Sequence, residues 1–403
     1  MISPTSRKKC LLILPRMPFP PYSGGALRCM ELVKILHRHY ELHLVIITAE
    51  KVDSNSVEFI TDHSTSYKIF RLGKLSAVLN TWRALLNGHP LQVSYFYMRQ
   101  VQRYINTLKN EIDFAICNMV RTATYLQTMK KPVFFDIVDS YALSYDDAYR
   151  KTNSLIYKVI YKIEAGRLKR FEQAIIKNTE KTFFVNKFEA DYWKNAGPTI
   201  WNPNGVTIPN HSESLAIESN KYGGKFIAFL GKMDYQPNID AINWFIQRVF
   251  PYLNKDISLV ILGTSPKIDL LKMASKEARI IVTGFIENPY AIMKHALAII
   301  APMQTGSGIQ NKILEGMSLS KIVVCTSLAA RPIIGAQHNK HLIIEDEPSK
   351  MGDLINQISL HPAQYVIIGE NARKLVSSNF SWQNHENILI KEIEDTINAN
   401  TIS

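Results

Sequence analysis

The stretch Ala298–Thr326, AIIAPMQTGSGIQNKILEGMSLSKIVVCT, carries the residue types best suited to anion chemistry. It reads as a buried strand ending in Pro302, a loop with Gly306 and Gly308, a helix predicted from about Ile309 to Leu319, and a second buried strand from Ile322 to Cys325. Strand, glycine loop, helix and strand make a parallel βαβ unit, with its loop at the carboxyl ends of the strands, where open α/β sheets place ligands. Ile309, Ile313, Leu314 and Met317 share one stripe of that helix, while Lys312 and Glu315, three apart, share another face. Unpaired N–H groups at a helix start entered through glycines suit phosphate oxygens, and Lys312 adds a full charge one turn in. Glu315 could accept hydrogen bonds from sugar hydroxyls. The same spacing also describes an ordinary surface Lys–Glu pair, worth roughly a few tenths of a kcal/mol.

Three other places carry related chemistry. Gly231-Lys232-Met233 follows a predicted strand, so Lys232 stands at a carboxyl end, placed to neutralise a diphosphate. Ser23-Gly24-Gly25 closes a proline-rich loop and opens a helix; with no Cβ, Gly24 and Gly25 let backbone approach a phosphate, though such a pair also serves as a tight turn. The strand PVFFDIVD offers Asp136 and Asp139. Asp139, at its carboxyl end, is the candidate for acid or base work, its alternative being a helix N-cap ahead of Ser140.

Two alternating series of strands and helices must position these groups. The first runs through strands at Cys10–Leu14, Leu42–Thr48, Tyr67–Leu72, Asp113–Cys117, Val133–Val138 and Lys181–Val185, with helices predicted over Ala26–His39, Leu75–Leu86, Tyr95–Leu108 and Leu155–Asn178. In the last of these, Ile156, Val159, Ile160, Ile163, Phe171 and Ile175 form a stripe expected to pack on the sheet, flanked by Lys158, Lys162, Arg167, Lys169, Arg170 and Lys177. That pattern could also lie on an anionic membrane. An Asn-, Ser-, Pro- and Gly-rich stretch follows, and then the second series: strands Lys225–Leu230, Ile257–Leu262 and Arg279–Val282, and helices Asn238–Tyr252, Lys267–Lys276 and Pro289–His295. Helices near Pro362–Val376 and Trp382–Ile397 close the chain. The expected division is a basic domain over 1–200, a linker over 201–224, a second domain over 225–378, and a terminal helix over 379–403 that crosses back to the first domain.

With 403 residues, 46% of them hydrophobic, the chain can fill two cores, which excludes disordered and fibrous classes. Cys10, Cys29, Cys117 and Cys325 are scattered, without CxxC or a His/Cys cluster; a reducing, cytoplasmic setting is expected and a zinc site or disulfide framework is not. The apolar run after Arg7-Lys8-Lys9 stops at Pro15, too short for a signal peptide, and no stretch spans a bilayer. The whole formal charge of +12 falls in the first 200 residues, which points to an acidic partner such as anionic lipid headgroups. No nucleic-acid module accompanies that charge, so no nucleic-acid partner is expected.

With these motifs laid out in order, the chain resembles the GT-B glycosyltransferases of family 4, which use nucleotide-diphosphate sugars. The resemblance is carried by PRMPFPPYSGGALR, Trp201-Asn202-Pro203-Asn204-Gly205-Val206, FLGKMDYQPNIDAINWF, VTGFIENPYAIM, APMQTGSGIQNKILEGM and Phe380-Ser381-Trp382. FFDIVDSYALSY with IYKIEAGRLKRFEQ is further similar to a subgroup tied to bacterial exopolysaccharide and surface-glycan assembly. The resemblance implies two Rossmann-like domains facing each other across a cleft. It implies donor-diphosphate contacts from Gly24, Gly25, Lys232, Gly308, Ile309 and Lys312, ribose binding by Glu315, a base-lining segment at Gly284 and Phe285, and a catalytic place near Asp139. Lys232 stands where the family usually has an Arg. Two family residues are missing: Ser307 replaces the first glutamate of a pair, and Gln236-Pro237-Asn238 replaces a second basic residue.

The expected activity is sugar transfer from a nucleotide-diphosphate sugar to a glycan or lipid-linked acceptor, with retention of configuration and neither cofactor nor metal. The site would be cytoplasmic, with peripheral contact on the inner face of the membrane. The alternatives within this architecture are a nucleotide-sugar epimerase or phosphorylase, and a binding protein that has lost its chemistry.

Overall fold

The structure, a computed structural model, describes residues 7–402 apart from 22–23, 51, 74–77, 79, 83, 85–87, 128, 210–221, 223 and 307. Ser23, Ser307, most of the helix predicted over 75–86 and the middle of the predicted linker lie outside the described residues. The chain divides into two compact units, Met1–Pro203 with Glu386–Ser403, and Asn204–His385.

The first unit runs β1 (Lys9–Leu14), α1 (Gly24–His39), β2 (Glu41–Thr48), α2 (Ser54–Asp62), β3 (Ser66–Arg71), α3 (Leu91–Tyr95), α4 (Arg99–Leu108), β4 (Phe114–Asn118), β5 (Val133–Val138), α5 (Tyr141–Lys151), α6 (Leu155–Lys177), β6 (Lys181–Phe184), α7 (Lys187–Trp193) and β7 (Thr199–Trp201). Its seven strands lie in the order β3-β2-β1-β4-β5-β6-β7, with every pair parallel. Continuous apolar runs such as CLLIL suit strands buried on both faces. Leu11 and Ile13 accordingly enter one core layer, and Cys10, Leu12 and Leu14 the other.

The second unit runs β8 (Lys225–Leu230), α8 (Gln236–Trp244), β9 (Ile257–Leu262), α9 (Ile268–Lys276), β10 (Ile280–Gly284), α10 (Pro289–Met293), β11 (Ile299–Ala301), α11 (Asn311–Ser318), β12 (Val323–Cys325), α12 (Ser327–Ala330), β13 (Ile343–Ile344), α13 (Pro348–Leu360) and α14 (Pro362–Asn379). Its strands follow the order β10-β9-β8-β11-β12-β13, again all parallel. Both sheets are therefore Rossmann-like, in agreement with the expected fold class.

The last helix, α15 (Trp382–Ile402), belongs to the first unit from Glu386 onward. Leu389, Ile393 and Ile397 recur every four residues and pack into the layer of Cys10, Leu12 and Phe114. Lys8 pairs with Glu394 at 2.8 Å, and Arg38 with Glu386 at 2.6 Å.

Three expectations need correction. The helix predicted over Tyr95–Leu108 starts only at Arg99, after a separate short helix that ends at Tyr95; between them the Tyr125 hydroxyl accepts from the Met98 N–H at 2.7 Å and donates to the Phe96 carbonyl at 2.6 Å, holding the break open. The helix predicted over Asn238–Tyr252 ends at Trp244, and the chain continues through a wider turn at Phe245–Val249 and a tighter one at Phe250–Tyr252. On α6 only the carboxyl-terminal part of the predicted stripe packs inward: Phe171 and Ile175 are buried, whereas Ile156, Val159, Ile160 and Ile163 face solvent.

Candidate functional site

Strand order reverses twice, between β1 and β4 in the first sheet and between β8 and β11 in the second. At such a reversal the connections leave in opposite directions, and a crevice opens at the carboxyl ends of the strands. The segments leaving these four strands hold most of the residues singled out by chemistry.

In the second unit, α11 starts at Asn311, so Gly308 and Ile309 belong to the loop rather than the helix, and Gln310 at the cap position makes no capping side-chain bond. Lys312 is neither on the surface nor paired with Glu315 as a surface i,i+3 bridge would be: it turns inward and is 6% exposed. Its ammonium donates to Asn238 Oδ1 at 2.9 Å and Gln310 Oε1 at 3.3 Å, and lies 4.9 Å from the centre of the Phe229 ring. No carboxylate forms an ion pair with it among the described residues. Burial lowers its pKa to about 8, with Glu315 pulling the other way. Burial in turn raises the partly buried Glu315 to about 7, opposed by Lys312. A buried cation held by neutral acceptors and an aromatic face is poised to take up an anion.

The surrounding backbone is drawn tight. Asn238 Nδ2 donates to the Lys232 carbonyl at 3.0 Å, and a Cβ added at Gly231 would stand 2.7 Å from that same amide nitrogen. A side chain at Gly263 would overlap the Gly231 carbonyl oxygen. Lys232 itself is exposed, with its Nζ 3.1 Å from Asp234, so its charge is shared rather than free. Gly284, in the left-handed region with φ of 71°, accepts from the Gly263 N–H, and Phe285 beyond it is exposed. Tyr290 stands near Glu315: burial raises its phenol, and the Glu315 charge raises it further.

In the first unit, Gly24 and Gly25 form the first turn of α1. A Cβ on Gly25 would meet Met119 Cε at 3.1 Å and Arg16 at 3.3 Å. Met119, after β4, and Val138, at the end of β5, both have positive φ, 62° and 69°. For a β-branched valine that conformation costs on the order of 1–3 kcal/mol and persists only where surrounding structure imposes it. Asp139 follows at once, open to a cavity of about 370 Å³ lined by Met119, Val138, Tyr141, Tyr145 and Tyr161 among others. The protein around it raises its carboxyl, with Arg28 opposing and Asp136 adding to the effect. Burial likewise raises the Tyr141 phenol, while Arg121 and Arg16 lower it.

Asp139 is not the helix cap. Ser140 caps α5, accepting from the Leu143 N–H, and donates its hydroxyl to Glu172 at 2.6 Å. Its own N–H donates to Glu189 at 2.7 Å. Burial pushes Glu172 up to about 7. It pushes Glu189 to about 8, with Asp139 adding to the rise. Asp136 has a structural place: buried, it accepts from Nε and Nη2 of Arg28 and from Asn118 Nδ2 at 2.7 Å, while Arg28 Nη1 donates to the Asn202 carbonyl.

The structure thus gathers the predicted residues into two constellations, one in each unit. Arg16, Met119 and Arg121 in the first, and Asn238, Gly263 and Tyr290 in the second, were not singled out by the sequence. Asn238 had a signal: it lies in the Gln236-Pro237-Asn238 run read only as a missing basic residue, yet its amide links the Lys232 backbone to the Lys312 ammonium.

Two all-parallel Rossmann-like sheets, each carrying ligand-type residues at its reversal point, define a protein of GT-B architecture. Residues 224–361 match the family model described as glycosyl transferases group 1. Over 95% of its length and 99% of the relative's, the chain is 22% identical to an uncharacterized 44.6 kDa protein in the cps region of Klebsiella pneumoniae. Anabaena HepE in complex with UDP superposes with a TM-score of 0.70 at 12% identity, covering 96% of this chain and 100% of that one. Sucrose-phosphate synthase from Thermosynechococcus elongatus gives a TM-score of 0.66 at 13% identity, covering 98% and 100%. Among the described residues no helix is long and apolar enough to cross a membrane.

Proposed function

We propose that the protein transfers a sugar from a nucleotide-diphosphate sugar to a glycan or lipid-linked acceptor in the assembly of a bacterial surface polysaccharide, with retention of configuration and without a metal ion. The observation that carries this reading is the buried Lys312 ammonium at the start of α11, without a carboxylate partner among the described residues, within the stretch that matches the group 1 model. Departure of the diphosphate concentrates negative charge on its oxygens. A preorganised cation and uncapped helix N–H groups stabilise that charge more than they stabilise the intact donor, which lowers the barrier. The bond from the anomeric carbon to the phosphate oxygen breaks, the acceptor hydroxyl oxygen bonds to that carbon, and the acceptor's proton leaves to the departing phosphate.

In this reading Lys312, Gly308, Ile309 and Lys232 take the diphosphate with Gly24 and Gly25, and Glu315 holds the ribose. Gly284 and Phe285 line the base, and Asp139 contacts the transferred sugar or the acceptor. HepE structures hold UDP, UDP with glucose, and UDP-glucose, which makes uridine nucleotides the first ligands to try. The cps-region relative supports the polysaccharide setting. A cytoplasmic enzyme with peripheral membrane contact through the basic first unit fits a donor made in the cytoplasm and an acceptor on a lipid.

The test is titration calorimetry with UDP, GDP, ADP and their sugar conjugates, with and without EDTA, followed by product analysis with the nucleotide sugar that binds. Selective, EDTA-insensitive binding lost in Lys312→Ala supports the reading. A well-folded protein that binds no nucleotide sinks it, and one that binds without ever turning over is a degenerate binding protein.

A further inference from the structure

The first turns of α6 present an apolar face that nothing covers among the described residues. Leu155, Ile156, Val159, Ile160 and Ile163 are exposed, from 41% at Ile160 to 81% at Leu155. At 3.6 residues per turn they fill a continuous arc of about 140°. Lys158, Lys162 and Lys169 succeed one another along one edge of that arc. The two carboxylates of α6 are both buried away from it: Glu164 takes the Leu91 N–H and Arg167, and Glu172 takes Ser140. On neighbouring α5, Asp146 and Asp147 are neutralised by Arg150 and Lys151. The outward face of the first turns of α6 is therefore apolar with a cationic border, and neither it nor neighbouring α5 presents an unpaired acid among the described residues.

We propose that this face docks on an anionic lipid bilayer, with the five aliphatic side chains entering the boundary between headgroups and acyl chains and the lysines meeting lipid phosphates. A solvated helix face keeps its apolar residues inward; one that turns them out beside lysines, with its acids buried, has the composition of a helix lying in a membrane interface. The inward side of the same helix reaches the candidate site: Tyr161 packs edge-on against Tyr145 at 5.7 Å, and both line the cavity at Asp139. Docking here presents that cavity to an acceptor carried on a lipid. The acceptor assignment rests on the glycosyltransferase reading; the docking itself does not.

The experiment is co-sedimentation of the full chain with phosphatidylcholine vesicles and with mixed phosphatidylglycerol–phosphatidylcholine vesicles. The wild type is expected to bind the mixed vesicles in a salt-sensitive manner. Combined Leu155→Ser, Ile156→Ser and Val159→Ser is expected to lose at least about tenfold in partitioning. Combined Lys158→Gln and Lys162→Gln should lose the preference for phosphatidylglycerol, and Ile156→Trp should shift its emission to the blue with mixed vesicles only. Absence of wild-type binding overturns the proposal, as does equal binding by the serine variant. So does a concentration-dependent dimer that the serines disperse, which would make the face a self-interface. Nucleotide titration of the same preparations separates the readings: vesicle binding without nucleotide binding leaves the docking standing and removes the enzyme.

Discussion

Lys312 offers the sharpest separation between folding and function at a single residue. A buried ammonium with no ion-paired carboxylate among the described residues costs the folded state its hydration, so replacing it by an apolar side chain of similar length should not destabilise. Lys312→Met is expected to keep or raise the melting temperature while weakening nucleotide-sugar affinity at least about tenfold, read by calorimetry and thermal melts on one preparation. The pKa of Lys312 stands at about 8 against an ordinary 10.5, so the free protein releases this proton early, and a bound diphosphate restores it. Affinity should therefore fall as pH rises through about 8. On the acid side, Glu315 protonates below about 7 and can no longer accept from two ribose hydroxyls. Binding measured across pH should peak between these two values, and Glu315→Gln should flatten the acid limb while moving the basic limb to lower pH, because the Glu315 charge helps to keep Lys312 protonated. Arg28 and Asp136 behave in the opposite manner, because each leaves a buried charge behind when the other is removed. Arg28→Met is expected to cost about 3–5 kcal/mol in urea unfolding, with Arg28→Met combined with Asp136→Asn costing less than the sum.

At the scale of elements, the segment joining β5 to α5 is held by carboxyl groups that are easier to keep protonated than is usual. Glu172 and Glu189 are raised from 4.5 to about 7 and about 8, so between these limits the folded protein holds more protons than the unfolded chain. Their stabilising share is intact below pH 4.5 and declines as pH climbs to about 8. Glu189→Gln should remove part of that decline, seen as a shallower fall of the melting temperature between about pH 5 and 8. Strand β5 was legible residue for residue, since VFFDIV is an apolar run closed in front by Pro132. Helix α5 was not, because YALSYDDAYRK buries only Ala142 and shows no stripe. The break between α3 and α4 depends on a hydroxyl 27 residues away in sequence, which local pattern does not carry. The glycine loop before α11 and its Lys–Glu spacing could be read directly. Whether Lys312 faces inward could not, because i,i+3 spacing fixes only that the two side chains share a face, and the acceptor and ring that receive the ammonium, Asn238 and Phe229, come from other elements.

At the scale of the whole molecule, the charge imbalance seen along the sequence is moderated by the fold. The first unit gains four acidic residues and one lysine from α15, giving 30 basic and 21 acidic residues, net +9 rather than +12. The remaining excess is enough to steer an anionic partner, and its effect should weaken at high ionic strength. Residues 386–402 also complete the hydrophobic layer around Phe114, so residues 7–203 on their own should be deficient. That fragment is expected to bind a hydrophobic dye and to melt broadly, and co-expression with a segment spanning 386–402 should restore a cooperative transition. Leu389→Ala or Ile393→Ala in the full chain should each cost about 2–5 kcal/mol. The order of synthesis gives the same helix a temporal meaning. A ribosome makes the whole of the second unit before it reaches Leu389, so the earlier unit leaves the exit tunnel with one apolar layer unfinished and waits, exposed to chaperones and to aggregation, for the last piece of its own interior.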